Sequence, residues 1–233
     1  MADPIFYVVE IEPPAAALPD FANWYASVHA PHLFNAGFTN CTSYVGVSGT
    51  MSVVDIYQAD DWAMFVTPAF ERYRGIAAAD PWRPAAIRGL RNSRTVYHHH
   101  PATPLPSRDA SAPLDADWVM IWRLEGDTAL EARIAGWLGD GGAATLAGLG
   151  AGQVRLLHRG EDAPTGPSVR PALALVGEWA VQPDTASTMP HLPEWLAALI
   201  DPAQGFVGWR LYPWALDPKL RLGSAPKRVG PIA

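Results

Sequence analysis

The sequence predicts an α+β fold in which one β-α-β-β-α-β unit occurs twice in tandem. Strand-like and helix-like segments follow one another in the same order in residues 1–100 and in residues 117–213. Between them, residues 101–116 are rich in Pro, Ala and Ser and lack a hydrophobic period, which predicts a linker. These observations divide the chain into two units, each of ordinary domain size.

The first unit opens with a strand and continues with an amphipathic helix. Residues 5–11 are β-branched and aromatic and are bounded by prolines, which is typical of a strand. Phe21, Trp24 and Val28 then recur at offsets of one helical face. Pro31 is expected to kink or end this helix, because it removes a backbone donor. The other predicted elements are strands at 39–47 and 51–58, a helix at 62–74 and a strand at 93–99.

The second unit repeats this order by pattern. Trp24 and Trp137 lie at equal distances from the starts of the first strands of their units, which supports a duplication. The last residues, 214–233, show little pattern and are expected to form an arm over the surface. The predicted elements are strands at 118–124, 153–159, 172–181 and 206–212, and helices at 128–149, broken at 140–142, and at 190–200.

Each unit has the ferredoxin-like strand and helix order, which covers only one face of its sheet with helices. The other face is too apolar to remain in water and needs a partner. Two units in one chain can supply that partner to each other, so we expect an intramolecular barrel with a ligand cavity between the sheets.

Composition narrows the classes of partner. The chain has 233 residues, a formal net charge of −6 and no basic stripe, which argues against nucleic acid or an anionic membrane as the partner. A single cysteine, Cys41, fits a reducing compartment. Without an export signal or a membrane span, we expect a cytoplasmic protein with a small-molecule substrate and no cofactor, either a monomer with an internal pseudo-dimer or a homodimer of it.

The stretch WYASVHAPHLFNAGFTNCTSY, residues 24–44, carries the most specific pattern. A strand, a helix ending in W-Y-x3-H-A-P-x-L, then G-F and a strand with tyrosine resemble the EthD-like branch of the dimeric α+β-barrel superfamily. The resemblance covers about the first hundred residues. It implies cofactor-independent chemistry with the histidine of H-A-P, His29, and a strand tyrosine, Tyr44. Cyclase-type relatives use a histidine in the second helix, where Phe70 stands here.

Three residues are the predicted catalytic groups. His29 is a candidate acid or base, because imidazole titrates near neutral pH. Tyr44 is a candidate hydrogen-bond donor to a developing oxyanion. Asp55 is a candidate proton carrier, because burial would raise its pKa. For each, a structural role is the alternative: a helix-terminal histidine, a half-buried strand tyrosine and a hydrogen-bonded carboxylate.

Residue polarity suggests which strand faces line the predicted cavity. On the first strand we expect Phe6 and Glu10 to point into the barrel and the opposite face to pack under the helices. On the third strand we expect Asp55 and Tyr57 to point inward. Glu178 is expected to occupy the position of Asp55 in the second unit. The predicted substrate-binding residues are Glu10, Phe6, Tyr57, His32, Trp122 and Glu178.

Three functions remain open from the sequence. The first is proton transfer on a small carbonyl, lactone or polyphenol by a lyase, isomerase or cyclase. The second is cofactor-free monooxygenation of an electron-rich aromatic compound. The third is binding of a ligand or of haem, with His29, His98 or His158 as the axial candidate. His98 and His100 share a strand face and could supply two metal ligands, but no third ligand accompanies them, so we expect no metal.

Overall fold

Eight strands form the framework of the computed structural model, which describes residues 4–49, 53–90, 92–101 and 110–213. The predicted arm, residues 214–233, lies outside the described residues. All strand pairings are antiparallel. The strands are β1 (Ile5–Ile11), β2 (Asn40–Gly49), β3 (Val53–Ala59), β4 (Asn92–His99), β5 (Trp118–Leu124), β6 (Ala151–Arg159), β7 (Leu173–Trp179) and β8 (Phe206–Tyr212).

The strands close into one barrel in the order β1-β3-β2-β8-β5-β7-β6-β4. The first four strands therefore form the run β4-β1-β3-β2, and the last four form the run β8-β5-β7-β6. Pairing of β2 with β8 and of β4 with β6 joins the two half-barrels. Closure within one chain agrees with the sequence-based expectation and leaves no open sheet edge in the barrel.

Helices cover the outer face of each half-barrel. Two buried apolar clusters lie beneath them, one on each half. No helix in the described part of the chain is both long and apolar enough to cross a membrane. The helices are α1 (Leu18–Trp24), α2 (Ala30–Ala36), α3 (Pro68–Ala79), α4 (Thr128–Trp137), α5 (Ala143–Gly148), α6 (Thr185–Thr188) and α7 (Glu194–Ala197).

Of the two expected effects of Pro31, a kink or an end of the helix, the end is not observed, and the helical segment is irregular just before the proline. A π-helical turn, Tyr25–His29, follows α1 directly, and Pro31 lies in the first turn of α2. The wider turn accommodates the proline, whose ring would clash with the carbonyl one turn earlier in a regular α-helix. The helical segment ends at Gly37, whose φ of 113° lies in the left-handed region that favours glycine.

The barrel interior is packed, which corrects the expectation of a cavity between the sheets. Inward side chains of both halves form one buried apolar cluster that includes Phe6, Tyr44 and Leu114. Leu114 comes from the end of the predicted linker and is fully buried. Gln58 holds this segment, because it accepts a hydrogen bond from the Leu114 N–H at 2.6 Å and donates one to the Ala112 carbonyl at 3.0 Å.

We name residues 110–116 the plug. Thr42 donates a hydrogen bond of 2.7 Å to the Leu114 carbonyl, and Tyr44 donates one of 3.0 Å to the Ala116 carbonyl. Arg155 donates bonds of 3.2 Å and 3.0 Å to the carbonyls of Ala110 and Ala112. Buried backbone acceptors are thus satisfied by side chains, which allows a segment without regular structure to lie inside the barrel.

Replacing Leu114 with Ala is expected to lower the free energy of unfolding by about 2–5 kcal/mol, because the change opens a cavity in a closed core. Urea unfolding followed by circular dichroism measures the effect. Val181→Ala is the matched control, since Val181 is 69% exposed. Equal stability of the two variants would show that the plug is not part of the core.

Candidate functional site

Two cavities are described. The smaller, of about 320 Å³, is lined by Asp115, Gln153 and Glu178, among others. The larger lies on the outer side of the first half-barrel, between the sheet and its helices. Its volume is about 540 Å³. The strands supply Tyr7, Asp55 and Tyr57, and the helical segment 18–36 supplies Trp24 and His29. The cavity therefore combines aromatic walls with a carboxyl, an imidazole and a phenol.

The register of the sheet decides why Asp55 and Tyr57 face this cavity. Asp55 pairs with Val9 and Tyr57 pairs with Tyr7 on β1, and paired residues project from the same face. The predicted faces of β1 are correct, since Phe6 lies in the barrel interior and Tyr7 lies under the helices. The predicted faces of β3 are inverted. All seven residues of β3 are buried, so polarity does not distinguish its two sides.

Asp55 is the buried carboxyl among the described residues that line the cavity. It is 3% exposed, and burial raises its pKa to about 7 against the opposing effect of the neighbouring Ser43 and Tyr57 hydroxyls. Its Oδ1 has no hydrogen-bond partner within the described residues. A carboxyl with this pKa exchanges protons at neutral pH, as general acid-base catalysis requires.

His29 lies beside this carboxyl but has a different character. Its ring stacks on Trp24 with centroids 4.5 Å apart, and its Nε2 lies 3.5 Å from the Tyr57 hydroxyl. Although the imidazole keeps some exposed surface, desolvation and the nearby Arg83 lower its pKa to about 3. The ring is neutral at neutral pH, so it fits the role of a hydrogen-bonding group better than that of a base.

Two tyrosines complete the polar cluster. Burial raises the pKa of both Tyr25 and Tyr57 well above the ordinary value, and the Asp55 carboxyl adds to this rise. Both phenols therefore remain protonated and can donate hydrogen bonds. The Tyr25 ring lies beside the Tyr57 ring, with centroids 6.4 Å apart. The two hydroxyls interact with each other and with the Asp55 carboxyl.

Tyr44 is on the opposite face of the sheet from His29. It pairs with Val54 on β3, points into the barrel and donates its hydroxyl to the plug. Phe6 also lies in the interior cluster. The predicted pairing of His29 with Tyr44 is therefore not formed, and the phenol that meets His29 is Tyr57.

Glu10 and Glu178 are buried inside the barrel in ion pairs. Glu10 contacts Arg123 and Arg170, which belong to the second half, and accepts a hydrogen bond of 2.8 Å from Ser93. Glu178 pairs with the fully buried Arg155 at 2.7 Å.

Glu178 is not the counterpart of Asp55. It pairs across the sheet with Val119, an interior residue, whereas Asp55 faces the helices. Trp122 lies in the cluster beneath the helices of the second half and lines neither described cavity. His32 is buried on α2 and also lines neither cavity. Of these three predicted substrate-binding residues, only Glu178 lines a described cavity, the smaller one.

The histidine run at the end of β4 lies at the junction of the two halves. His98 stacks on His158 with centroids 5.7 Å apart, and His158 Nδ1 lies 2.9 Å from Glu131. His100 Nε2 lies 3.7 Å from the same carboxylate. Among the described residues, no group of three or more histidine, cysteine or acidic side chains is arranged to hold a metal ion.

Sequence reasoning missed several residues of the site. Tyr25 and Ser43 are two of them, and neither is among the predicted site residues. The signal for Ser43 was its register, because it pairs directly with Asp55. Arg83 and Arg94 also line the cavity and lie far from His29 in sequence, so no local motif identifies them.

Comparison with known proteins defines the fold. No family model and no curated protein sequence matches the chain. Solved structures do match. An anthrone oxidase-like protein has a TM-score of 0.54 at 10% identity, covering 90% of this chain and 91% of its own. A candidate monooxygenase from Fusobacterium nucleatum has a TM-score of 0.53 at 11% identity, covering 90% and 93%.

The chain shares the fold of these structures, a mixed α/β architecture built on an eight-stranded antiparallel barrel. A haem-binding protein from Thermus thermophilus has a TM-score of 0.50 at 12% identity, covering 95% of this chain and 96% of its own. At these identities the likeness concerns the fold alone, and function has to be argued from the site.

The three haem candidates differ in their access to a cavity. An axial histidine has to direct one nitrogen into an open slot. The His29 ring lines the larger cavity, where it stacks on Trp24 and its Nε2 lies 3.5 Å from the Tyr57 hydroxyl. His98 and His158 stack on each other and line neither described cavity.

Proposed function

We propose that this protein belongs to the dimeric α+β barrel superfamily and is a cofactor-independent enzyme that moves a proton on a small aromatic or carbonyl compound in the helix-side cavity. The observation that carries the proposal is Asp55, a buried carboxyl with a pKa of about 7 that lines a cavity of about 540 Å³. A structural carboxylate is normally held ionised by hydrogen bonds or cations. Asp55 instead keeps one oxygen without a partner among the described residues.

Each polar group of the cavity has a distinct role in this proposal. The Asp55 carboxylate accepts a proton from an acidic C–H or O–H of the substrate, and negative charge develops on a substrate oxygen. The Tyr57 hydroxyl donates a hydrogen bond to that oxygen, which lowers the free energy of the anion. Neutral His29 donates a hydrogen bond from its Nε2–H to the Tyr57 oxygen and fixes the orientation of the phenol. Return of the proton to a different atom completes an isomerisation. In a lyase reaction the anion instead expels a leaving group, which takes the proton. In a cyclase reaction the anion attacks a carbonyl carbon of the same molecule, and the carbonyl oxygen takes the proton.

Monooxygenation is the second candidate function. An electron-rich phenolate or enolate made by Asp55 can react with dioxygen without a cofactor. The aromatic rings of Trp24, Tyr57 and Tyr73 line the cavity and favour a planar ligand. Two solved structures with this fold are described as a candidate monooxygenase and an anthrone oxidase-like protein, which supports this reaction class as the alternative.

We also infer that the two half-barrels are tandem copies of one ferredoxin-like unit, residues 1–100 and 117–213, of EthD-like origin. The same relative strand order in the two runs supports this inference. The first unit supplies most of the lining of the larger cavity, which supports a site beside the sequence motif. Residues 110–116 of the inferred linker belong structurally to the barrel interior.

Anthrone separates the two reactions, because its C10–H is acidic and its enolate reacts with dioxygen. In D2O without dioxygen, the proposed enzyme should accelerate deuterium exchange at C10, measured by NMR. With dioxygen, a monooxygenase would convert anthrone and O2 into anthraquinone and water, with matching oxygen uptake. Exchange without oxygen uptake supports the isomerase or lyase class. If the protein accelerates deuterium exchange neither in anthrone nor in related aromatic ketones and phenols, the proton-transfer proposal is wrong.

A further inference from the structure

Two arginines line the cavity without an acidic partner. Among the described residues, no carboxylate lies within ion-pair distance of Arg83 or Arg94. Arg83 donates one hydrogen bond, of 2.7 Å, to the Ala77 carbonyl, and Arg94 donates one, of 2.8 Å, to the Thr165 carbonyl. Both side chains are half-buried. Partly desolvated guanidinium groups without a counter-charge favour an anion in the space that they face.

The net charge of the cavity wall is positive, because the charges that pair with each other cancel. Glu71 and Arg74 pair with each other at 2.9 Å near the opening. Asp55 is only partly ionised at neutral pH. Arg83 and Arg94 then remain as the net charge, on a wall where His29 is neutral. Both arginines lower the pKa of Tyr73, so both act on the same part of the cavity.

The Arg83 guanidinium lies over the ring of an aromatic residue that lines the cavity. The guanidinium carbon of Arg83 is 5.7 Å from the centre of the Trp24 ring, and His29 stacks on that same ring. Arg94 pairs across the sheet with Val9, next to the Asp55 position, and so projects toward the helices. A planar ring between the aromatic walls could carry an acidic substituent toward either arginine while its reacting atom stays near Asp55.

We propose that the substrate of this cavity is a planar aromatic acid, whose carboxylate is bound by Arg83 and Arg94 while its ring lies against Trp24 and Tyr73. The inference rests on the proposed function for the identity of the site and adds the charge of the ligand. Guanidinium groups bind a carboxylate through charge-assisted hydrogen bonds, which are the stronger class of such bonds.

Isothermal titration with 1-naphthoate and 1-naphthol tests the proposal, because the two probes share a ring system and differ in charge at neutral pH. The full-length protein should bind naphthoate at least about tenfold more tightly than naphthol, corresponding to about 1.4 kcal/mol. Arg83→Gln and Arg94→Gln should each weaken naphthoate binding by about tenfold or more and leave naphthol binding unchanged. Arg83→Lys should retain part of the preference, since the charge remains.

Arg72→Gln is the matched control, because Arg72 is an exposed residue of α3 that does not line the cavity. It should leave the affinities for both probes unchanged. Equal binding of naphthoate and naphthol, equal loss of both in the arginine variants, or no saturable binding of either probe overturns the inference. Circular dichroism and thermal unfolding identify variants that have lost the fold.

The two proposals fail separately. Asp55→Asn should still bind naphthoate, since the anion contacts the arginines. A preference for naphthoate without any exchange activity would refute the proton-transfer function and leave the anion site intact. Exchange activity that depends on Asp55, without a preference for naphthoate, would refute the anion site alone.

Discussion

Replacing Asp55 with Asn is expected to reduce the rate of C10 exchange in anthrone, or of turnover of a better substrate, by about 10²–10⁴-fold. The amide is nearly isosteric with the carboxyl and cannot accept the proton. Tyr57→Phe should have a smaller effect on the rate, because it removes a hydrogen-bond donor and leaves the base. Circular dichroism and naphthoate binding should be unchanged in Asp55→Asn. Unchanged exchange by a folded Asp55→Asn variant would remove this carboxyl from the mechanism.

The role of Asp55 also predicts how the activity of the wild-type protein depends on pH. A base with a pKa of about 7 acts only when ionised, so kcat/KM of the wild type should rise with pH and level off above about pH 7. His29 cannot produce this profile, because its pKa of about 3 leaves it neutral throughout the range. A pH–rate profile without an inflection near neutrality would contradict the assignment of Asp55.

Asp55→Asn should increase the stability of the protein at alkaline pH, although it lowers the activity. The pKa of Asp55 is about 7 in the folded protein and near 3.8 when unfolded, so the folded state binds the proton more tightly. The stabilisation from this proton is complete below about pH 3.8 and is lost as the pH rises to about 7. At about pH 8.5, Asp55→Asn should therefore be more stable than the wild type, by up to about 4 kcal/mol. The advantage should shrink toward acid pH, as urea unfolding would show.

Glu10→Ala is expected to lower the free energy of unfolding by about 3–5 kcal/mol, because it leaves Arg123 and Arg170 without their counter-charge inside the barrel. Glu10 is fully buried, and Arg123 is only 5% exposed, so water does not compensate for the loss. Urea unfolding of the two proteins measures the difference. The loss should weaken the association of the two half-barrels, since Glu10 lies on β1 and its two arginines lie in the second half.

The matched control is Glu12→Ala, an exposed carboxylate just beyond β1, which should change stability by less than about 0.5 kcal/mol. The triple variant Glu10→Leu, Arg123→Met, Arg170→Met replaces all three charges with apolar groups of similar size. It should regain most of the stability, because a buried ion pair and a well-packed apolar cluster have similar free energies. A Glu10→Ala protein as stable as the control would show that the network contributes nothing.

The sequence predicted the strands well because their signals are local. The bounds of β1, β5 and β8 follow from runs of β-branched and aromatic residues between breakers. The break in the helix at 140–142 follows from Gly141, whose φ is 108°. Barrel closure followed from the need of each sheet to cover a second apolar face.

The site was predicted only in part because its decisive features are not local. His29 and Asp55 were both selected, but their pKa values depend on Trp24, Arg83 and Ser43, which burial and register bring to them. The face of β3 could have been derived by pairing its residues with those of β1, whose faces were assigned correctly. Polarity alone failed there because both sides of β3 are buried.

The plug could not be predicted from its composition. A Pro-, Ala- and Ser-rich segment has no hydrophobic period, and only Leu114 marks its inner position. The backbone of the plug is retained in the barrel by donors from Gln58, Thr42 and Arg155. These donors are distant in sequence and are polar strand residues like any others until the fold is known.

Because a single connecting segment, the plug, lies inside the barrel, the two halves of the molecule are not equivalent. Two identical chains related by a twofold axis would have to insert either two such segments or none. A single chain that contains both halves can insert one such segment. A substitution in one half is then not repeated in the other. The half that holds Asp55 can specialise in chemistry, while its neighbour can be selected for support alone.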